Sequence, residues 1–157
     1  MRTVDRITIR APLDRIFQVA SDVERWPDFL SHYRRVRFLD RHDGGGTVEM
    51  AAWRPFGPVR YPTWWVSEMS VDPGACEIRY RHVRGITRGM NVAWRLEPTT
   101  GTKHAGEVVV SIIHEWTGPG WPLIGRLAAG LVIGPVFIHG IASRTLAGIK
   151  RFSEAGP

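Results

Sequence analysis

The 157-residue sequence predicts an α+β fold, and three observations predict it. The chain opens with a strand-like stretch that is followed by residues at helical spacing. From residue 33 to residue 116, apolar and polar residues alternate with period two, and the turns are too close together to leave room for helices. An amphipathic helical pattern occupies the last part of the chain. Together these observations predict a single domain spanning residues 1–157, with a seven-stranded antiparallel sheet and a long C-terminal helix.

The opening elements are predicted as one strand and two short helices. Residues 3–10 alternate between charged and apolar side chains, which is typical of a half-buried strand. Pro12 suits the first turn of a helix, and the apolar residues that follow it recur at helical spacing. Asp22 can cap a second short helix, which Pro27 then breaks or restarts. The chain therefore reads as strand, helix, helix.

The middle of the chain predicts six strands that form a meander. Turn-forming residues divide it at regular intervals, so successive strands must be antiparallel. These turn signals lie at residues 43–46, 55–58, 72–75, 84–89 and 98–106.

The C-terminal stretch predicts a long helix that packs on the sheet. Apolar side chains between residues 138 and 152 fall on one arc of a helix, and basic side chains fall on the opposite arc. We expect the helix to bend or restart at Gly134-Pro135. The uncharged run Leu127–Ser143 has 17 residues, fewer than the roughly 20 that span a bilayer. No transmembrane segment is therefore expected.

Composition narrows the classes of partner and location. The N-terminal stretch has no apolar signal segment, so a cytoplasmic protein is expected. The lone Cys76 cannot form an internal disulfide. The net charge is +6 and comes almost entirely from arginine, but no nucleic-acid motif accompanies it, so we expect no nucleic acid as partner. Arginines on solvated strand faces explain the charge, and an acidic carrier protein stays open as a partner.

Four short motifs, in this order of elements, resemble the START-like (helix-grip, SRPBCC) superfamily. "APLDRIFQVASDVERWPDFL" is similar to the opening helix pair of the polyketide cyclase/dehydrase group, which includes the aromatase/cyclases. "WVSEM" at 65–69 resembles a Trp-x-Ser-x-Arg strand, and "MNVAW" at 90–94 resembles a Met-Asn-x-x-Trp strand. His114 stands where the next strand of the family carries an amide or polar group. The resemblance implies a helix-grip fold, with a curved sheet wrapped around the last helix and an internal apolar cavity.

The same resemblance implies one departure from the family chemistry. The aromatase/cyclases keep an arginine, thought to polarise ketones of the poly-β-keto chain, where this sequence has Met69. A methionine has no proton donor and no charge. Either another residue supplies the electrophile, or the protein does not catalyse that aldol cyclisation.

Family position and inward-facing parity together give the candidate site. Tyr33 or His114 could exchange protons with an enolisable carbon, and Arg54 or Arg88 could stabilise the enolate. A structural histidine or tyrosine with a satisfied hydrogen bond is the alternative. The six histidines have no ligand spacing, so no metal site is expected, and no cofactor is expected either. The expected ligand-binding residues are Trp26, Leu30, Trp65, Ser67, Met69, Tyr80, His82, Met90, Trp94, Ile138 and Ile141.

Two classes of function follow from a mostly apolar, aromatic-lined chamber. The first is a polyketide cyclase/dehydrase-like enzyme that promotes aldol cyclisation or aromatisation, with Trp26, Tyr33, Ser67, Met90 and Trp94 in its favour. The second is a non-catalytic protein that binds or transfers a lipid or quinone, which Met69 favours. Both bind a hydrophobic small molecule.

Overall fold

The computed structural model describes residues 1–56, 59–100, 106–118 and 135–156. It has seven strands, a short 3₁₀ helix and three α-helices in the described part of the chain. In chain order the elements are β1 (Arg2–Arg10), α1 (Leu13–Ser21), the 3₁₀ helix (Val23–Arg25), α2 (Trp26–Phe29), β2 (Tyr33–His42), β3 (Gly45–Phe56), β4 (Val59–Asp72), β5 (Glu77–Gly85), β6 (Asn91–Pro98), β7 (Glu107–Glu115) and α3 (Pro135–Glu154).

The strands form one antiparallel sheet in the order β1-β7-β6-β5-β4-β3-β2. Strands β2 to β7 are joined as a meander, so each pairs with its neighbour in sequence. Strand β1 lies at one edge of the sheet, where it pairs with β7, the last strand in the sequence. The predicted seven-stranded sheet, the two short helices after β1 and the C-terminal helix are confirmed.

The two faces of the sheet differ in the way that the alternation predicts. The inner face carries most of the apolar core, while charged side chains on the outer face pair across neighbouring strands. The adjacent tryptophans of β4 illustrate the difference, because Trp65 is 7% exposed and Trp64 is 53% exposed. Successive side chains of a strand point to opposite faces, so these two large rings lie in different environments.

Helix α3 packs on the inner side of the sheet, mainly against β1 and α1. Ala142, Leu146 and Ile149 recur every three or four residues and are buried, which is the helical spacing that a sheet-facing stripe needs. Gly148 lets the loop after α2 approach closely, because a Cβ there would lie 2.0 Å from Cδ2 of Leu30. The helix therefore covers the inner face without leaving space at this point.

Two local expectations are corrected. Asp22 makes no side-chain hydrogen bond at the start of the 3₁₀ helix, so it is not a side-chain cap there. The inward-facing position expected of Arg88 is also wrong, because strand β6 begins only at Asn91 and the chain turns through Thr87–Met90, with Gly89 at positive φ. Arg88 lies in this turn and is exposed.

Some expectations fall outside the described residues. The predicted restart at Gly134, the segment 127–134 and the turn residues 57, 58 and 101–105 belong to this group. Helix α3 is described from Pro135 onward. Of the helices that are described, none is both long and apolar enough to cross a membrane.

Candidate ligand-binding cavity

A cavity lies between the inner face of the sheet and helix α3. The described residues enclose about 70 Å³, below the roughly 300–1,000 Å³ of typical ligand pockets. A ligand with several rings therefore needs lining side chains or α3 to move. The lining residues are Trp26, Tyr33, Met50, Trp65, Tyr80, His82, Thr87, Met90, Val92, Trp94, Ile112, His114, Ile138, Ile141, Ala142 and Thr145.

Aromatic rings form much of the cavity lining. Trp26 on α2 contacts Tyr33 on β2 and Trp94 on β6, with ring centroids 5.1 Å and 5.5 Å apart. On the neighbouring strands, the ring of Trp65 stacks on that of His82 at 5.9 Å and an interplanar angle of 13°. Such ring pairs favour defined orientations. The lining therefore presents flat, rigid surfaces that suit a ring-containing ligand.

Two histidines of the lining are held in the neutral form. Burial lowers the pKa of His82 to about 3, and the neighbouring His114 contributes to the shift. Burial also lowers the pKa of His114 to about 4. Nδ1 of His82 lies 2.6 Å from the hydroxyl of Thr87, whereas Nδ1 of His114 is buried without a partner. At neutral pH both rings are therefore uncharged, and one buried nitrogen is free for a ligand.

Two tyrosines of the lining are kept protonated. Burial raises the pKa of Tyr33 to about 12, partly opposed by a hydrogen bond with Thr145. Burial also raises the pKa of Tyr80 well above its ordinary value, and its hydroxyl has no partner. An unpaired buried hydroxyl costs about 1–3 kcal/mol. A bound carbonyl or hydroxyl oxygen would remove that cost at Tyr80.

The hydroxyl of Thr145 links helix α3 to the loop before β2. It donates a hydrogen bond to the carbonyl of Ile141 at 2.9 Å, and Nε2 of His32 lies 2.9 Å from the same hydroxyl oxygen. Because the hydroxyl proton is used on Ile141, His32 is the donor in this contact. Burial, with a smaller contribution from the charge of Arg144, lowers the pKa of His32 to about 4. This linkage positions Tyr33, the next residue in the chain, at the cavity.

Among the described residues, the cavity lining contains no Asp, Glu, Lys or Arg. Its polar atoms belong to neutral tyrosines, histidines and threonines. These groups can form hydrogen bonds with a carbonyl or hydroxyl oxygen, but they supply no charge that would form an ion pair with a charged ligand. The arrangement suits an uncharged ligand with oxygen substituents.

The structure brings ten of the fifteen predicted site residues to the cavity. Of the other five, Leu30 is buried beside α3, and Ser67 and Met69 are buried in β4 without belonging to the lining. Arg88 is exposed in the turn before β6, away from the lining. The side chain of Arg54 lies outside the described part of the chain. The ten at the cavity are Trp26, Tyr33, Trp65, Tyr80, His82, Met90, Trp94, His114, Ile138 and Ile141.

Sequence reasoning left six lining residues out of the candidate set. Met50, Val92 and Ile112 lie on the predicted inner faces of their strands, so parity could have found them. Ala142 and Thr145 fall on the apolar arc of the C-terminal helix, where helical spacing gave the signal. Thr87 lies in a turn, and no periodicity marks it. Its role as partner of His82 depends on the path of the turn.

No group of three or more His, Cys, Asp or Glu side chains that could hold a metal ion occurs among the described residues. The unpartnered groups at the cavity are a phenol and a single imidazole nitrogen. One such nitrogen does not make a metal site, because stable sites use three or four ligands. The polar groups of the cavity are therefore interpreted as ligand contacts.

The fold and the cavity define a helix-grip protein, in which an antiparallel sheet packs on a C-terminal helix with a cavity between them. Residues 9–133 match the family described as "Polyketide cyclase / dehydrase and lipid transport". The chain belongs to this family, as the sequence motifs predict.

Relatives agree with this assignment. A Streptomyces cyaneus protein named as a polyketide cyclase is 32% identical over 99 residues, which are 62% of this chain and 63% of that relative. The match thus spans less than two thirds of the relative's length. A Streptomyces halstedii protein of the same name is 32% identical over 62% of this chain and 88% of its own.

Solved structures show the same fold. The Zhui aromatase/cyclase of a Streptomyces species superposes with a TM-score of 0.77 at 20% identity, over 98% of this chain and 93% of that one. A START superfamily protein from Mycobacterium smegmatis gives a TM-score of 0.66 at 11% identity, over 96% and 98% of the two chains. At these sequence identities, the similarity shows a shared fold and nothing further.

Proposed function

We propose that this protein binds an uncharged, oxygen-bearing polyketide or aromatic molecule in the cavity and promotes its aldol cyclisation and dehydration. The observation that carries the proposal is a pair of buried atoms that have no partner among the described residues, the Tyr80 hydroxyl and Nδ1 of His114, in a lining rich in aromatic rings. Buried polar groups are normally hydrogen-bonded. Two that are not, in one cavity, favour a ligand that supplies the missing partners.

The two groups fit complementary roles in enolisation. The phenol of Tyr80 stays protonated because burial raises its pKa, so it can donate a hydrogen bond to a ligand carbonyl. The imidazole of His114 stays neutral because burial lowers its pKa to about 4. In the tautomer protonated at Nε2, its Nδ1 carries a lone pair that can accept a proton. Tyr33 also stays protonated, with its pKa raised to about 12, but its proton is used on Thr145, whose own proton is on Ile141.

These roles give a balanced reaction. Nδ1 of His114 takes a proton from the carbon between two carbonyl groups, and the resulting enolate oxygen is held by the Tyr80 hydroxyl. The enolate carbon attacks a second carbonyl carbon and forms the new carbon–carbon bond. The alkoxide that results takes the proton back from the imidazolium. Loss of water from the β-hydroxy ketone then gives the double bond. In this scheme the Tyr80 hydroxyl polarises the carbonyl group, so the family arginine that Met69 replaces is not needed.

A second candidate is binding or transfer of a lipid or quinone without catalysis. It is favoured by the uncharged character of the lining residues that the structure describes and by the low pKa of both histidines, which makes them weak bases. A quinone carbonyl would use the same two unpartnered atoms as a polyketide carbonyl. The two candidates therefore share a binding site and differ in turnover.

The catalytic proposal is tested with Tyr80→Phe and His114→Gln. The probe is a synthetic poly-β-keto acid thioester, and cyclised product is followed by chromatography. Loss of the hydroxyl donor should lower turnover by roughly 10²–10³, and loss of the base by roughly 10²–10⁴. Trp64→Phe serves as the control because its ring lies on the outer face, and it should turn over like the parent. Unchanged turnover in both cavity variants would remove the catalytic roles.

Native mass spectrometry separates the two candidates. A prenyl lipid or quinone that co-purifies with the protein, and is lost in Tyr80→Phe, would favour the binding protein over the cyclase. An empty protein that turns over the thioester would favour the cyclase. The acidic acyl carrier protein expected from the sequence stays a prediction, and pull-down with a carrier that holds the poly-β-keto chain tests it.

A further inference from the structure

A second pocket lies on the other side of the His32–Thr145 contact. It has a volume of about 210 Å³ and is bounded by the loop before β2, by β3 and β4, and by helix α3. Among the described residues, its lining holds three arginines and no carboxylate. The lining residues are Leu30, Ser31, His32, Trp53, Arg60, Arg144, Ala147 and Arg151.

The three arginines of this pocket differ from most arginines of the sheet. On the outer face, Arg81 pairs with Glu68 at 2.7 Å, and Arg79 pairs with Glu77 at 2.7 Å. Arginines of β1 and β2 also pair with glutamates of neighbouring strands. In contrast, the three arginines of the pocket lining are exposed, and within the described part of the chain no carboxylate pairs with them; they are Arg60, Arg144 and Arg151.

Nearby groups add to the positive charge. The guanidinium of Arg34 lies over the ring of Trp53, with its carbon 4.6 Å from the ring centroid. Burial and the charge of nearby Arg144 lower the pKa of His32 to about 4, so its imidazole is neutral and adds no charge to the pocket. Like charges that converge on one concavity repel each other. An anion bound among them would relieve that repulsion.

We infer that this pocket binds a phosphate group. Three guanidinium groups match the several oxygens and the double charge of a phosphate monoester better than the single charge of a carboxylate. Guanidinium forms bidentate hydrogen bonds with phosphate, and these charge-assisted bonds are among the stronger ones in proteins. The hydroxyl of Ser31 offers a further donor at the rim of the pocket.

The pocket is close to the cavity but chemically separate from it. Thr145 lines the cavity, and its hydrogen-bond partner His32 lines the pocket, so one side-chain contact lies between the two sites. The cavity lining is uncharged, whereas the pocket lining is strongly basic. The inference does not depend on the proposed cyclisation, because the phosphate site is defined by the arginines alone.

The test uses the full chain and inorganic phosphate as the probe. Isothermal titration at constant ionic strength, with chloride as the balancing anion, should detect phosphate binding to the parent protein. Arg144→Gln and Arg60→Gln should each weaken this binding by about tenfold or more, because each removes a charge-assisted contact. Arg79→Gln is the matched control, since it removes the same charge from the outer face, and it should stay within about twofold of the parent.

Two further probes identify the source of the phosphate. Glycerol phosphate represents a soluble phosphate ester, and phosphatidylcholine vesicles with added phosphatidic acid represent a lipid headgroup. Binding of either one that Arg144→Gln abolishes and Arg79→Gln keeps would support the site and assign its source. Circular dichroism verifies that the variants are folded. The inference is overturned if phosphate binds the parent no better than chloride does, or if Arg79→Gln weakens binding as much as Arg144→Gln.

Discussion

Two buried hydroxyls of strand β4 differ only in whether they have a partner. The hydroxyl of Thr63 donates a hydrogen bond to the carbonyl of Ala52 on β3, at 3.2 Å. The hydroxyl of Ser67 is completely buried and has no partner. A buried hydroxyl that is paired stabilises the fold modestly, whereas one that is unpaired carries the full cost of its lost hydration.

We therefore expect opposite effects from removing these two hydroxyls. Ser67→Ala should leave the free energy of unfolding unchanged or raise it by about 1 kcal/mol. Thr63→Val keeps the side-chain shape, loses the hydrogen bond, and should lower the free energy of unfolding by about 1 kcal/mol. Urea denaturation followed by tryptophan fluorescence measures both. A loss of stability in Ser67→Ala as large as that in Thr63→Val would show that Ser67 has a partner.

At the residue scale, the sequence predicts which face a side chain occupies better than it predicts its partner. Parity correctly placed Tyr80 and His82 on the inner side, because alternation is a local property. It could not show that the Tyr80 hydroxyl is unpaired while His82 meets Thr87, because those contacts depend on how distant segments lie. The roles of Tyr33, His114 and Arg54 in a reaction stay predictions.

At the scale of elements, the β5–β6 connection fixes the end of the cavity. Gly85 and Gly89 flank the turn, and both have positive φ, of +93° and +86°. Gly85 also lies against β4, where an added Cβ would be 2.4 Å from the carbonyl oxygen of Trp64. An added Cβ at Gly89 would meet nothing within 4 Å. The two glycines share the backbone strain and differ in packing.

This difference gives a matched pair of variants. Gly89→Ala should lower the free energy of unfolding by about 1–2 kcal/mol, the cost of a left-handed conformation for a residue with a Cβ. Gly85→Ala should lower it by at least about 3 kcal/mol, because the Cβ also collides with the backbone of β4. Chemical denaturation provides both values. Equal losses would mean that β4 moves away without cost.

The strands and helices could be predicted from the sequence, whereas irregularities in strand pairing could not. The turn residues and the alternation of apolar and polar side chains were enough to predict every strand, because each of these patterns is contained within a few neighbouring residues. The pairing of β4 with β5 shifts register between Val66 and Ser67, and no local pattern marks such a bulge. The turn at residues 84–89 was predicted, but Arg88 within it was expected to face inward, and it is exposed.

At the scale of the whole molecule, most charge is on the outside, with the buried Asp5 as an exception, and most polar groups on the inside are uncharged. Ion pairs cover the outer face of the sheet, and exposed pairs of this kind contribute little to stability. Burial lowers the pKa of three histidines to about 3 or 4, so they are neutral; His32 and His82 are buried, and His114 is half-buried. The buried histidines, more than the surface pairs, should therefore set the response to acid. The single domain and the cytoplasmic location stay predictions.

We expect stability to fall as the pH drops from about 6.5 toward 4. In this range the unfolded chain protonates its histidines, while burial keeps His82, His114 and His32 neutral in the folded protein. Each such histidine lowers the free energy of unfolding by up to about 1.4 kcal/mol per pH unit. Below the pKa that each histidine has in the folded protein, stability stops falling, because the histidine is then protonated in both the folded and the unfolded state.

Urea denaturation at pH 7, 6 and 5 measures this dependence. His82→Gln should make the slope between pH 6.5 and 5 shallower by about 1 kcal/mol per pH unit. Carboxylates titrate in both proteins, so their contribution cancels in the comparison. An identical slope in His82→Gln and the parent would mean that His82 is protonated in the folded state.

The pairing of β1 with β7 has a consequence for synthesis on the ribosome. The paired ends of these strands are 97 to 113 residues apart in sequence, and at about 5–20 residues per second this separation takes roughly 5–20 s to translate. During that time β1 has no strand to pair with, whereas each hairpin of the meander can form soon after it emerges. The nascent chain therefore carries β1 unpaired until β7 has been made, and β1 is a strand that a chaperone could shield during that time.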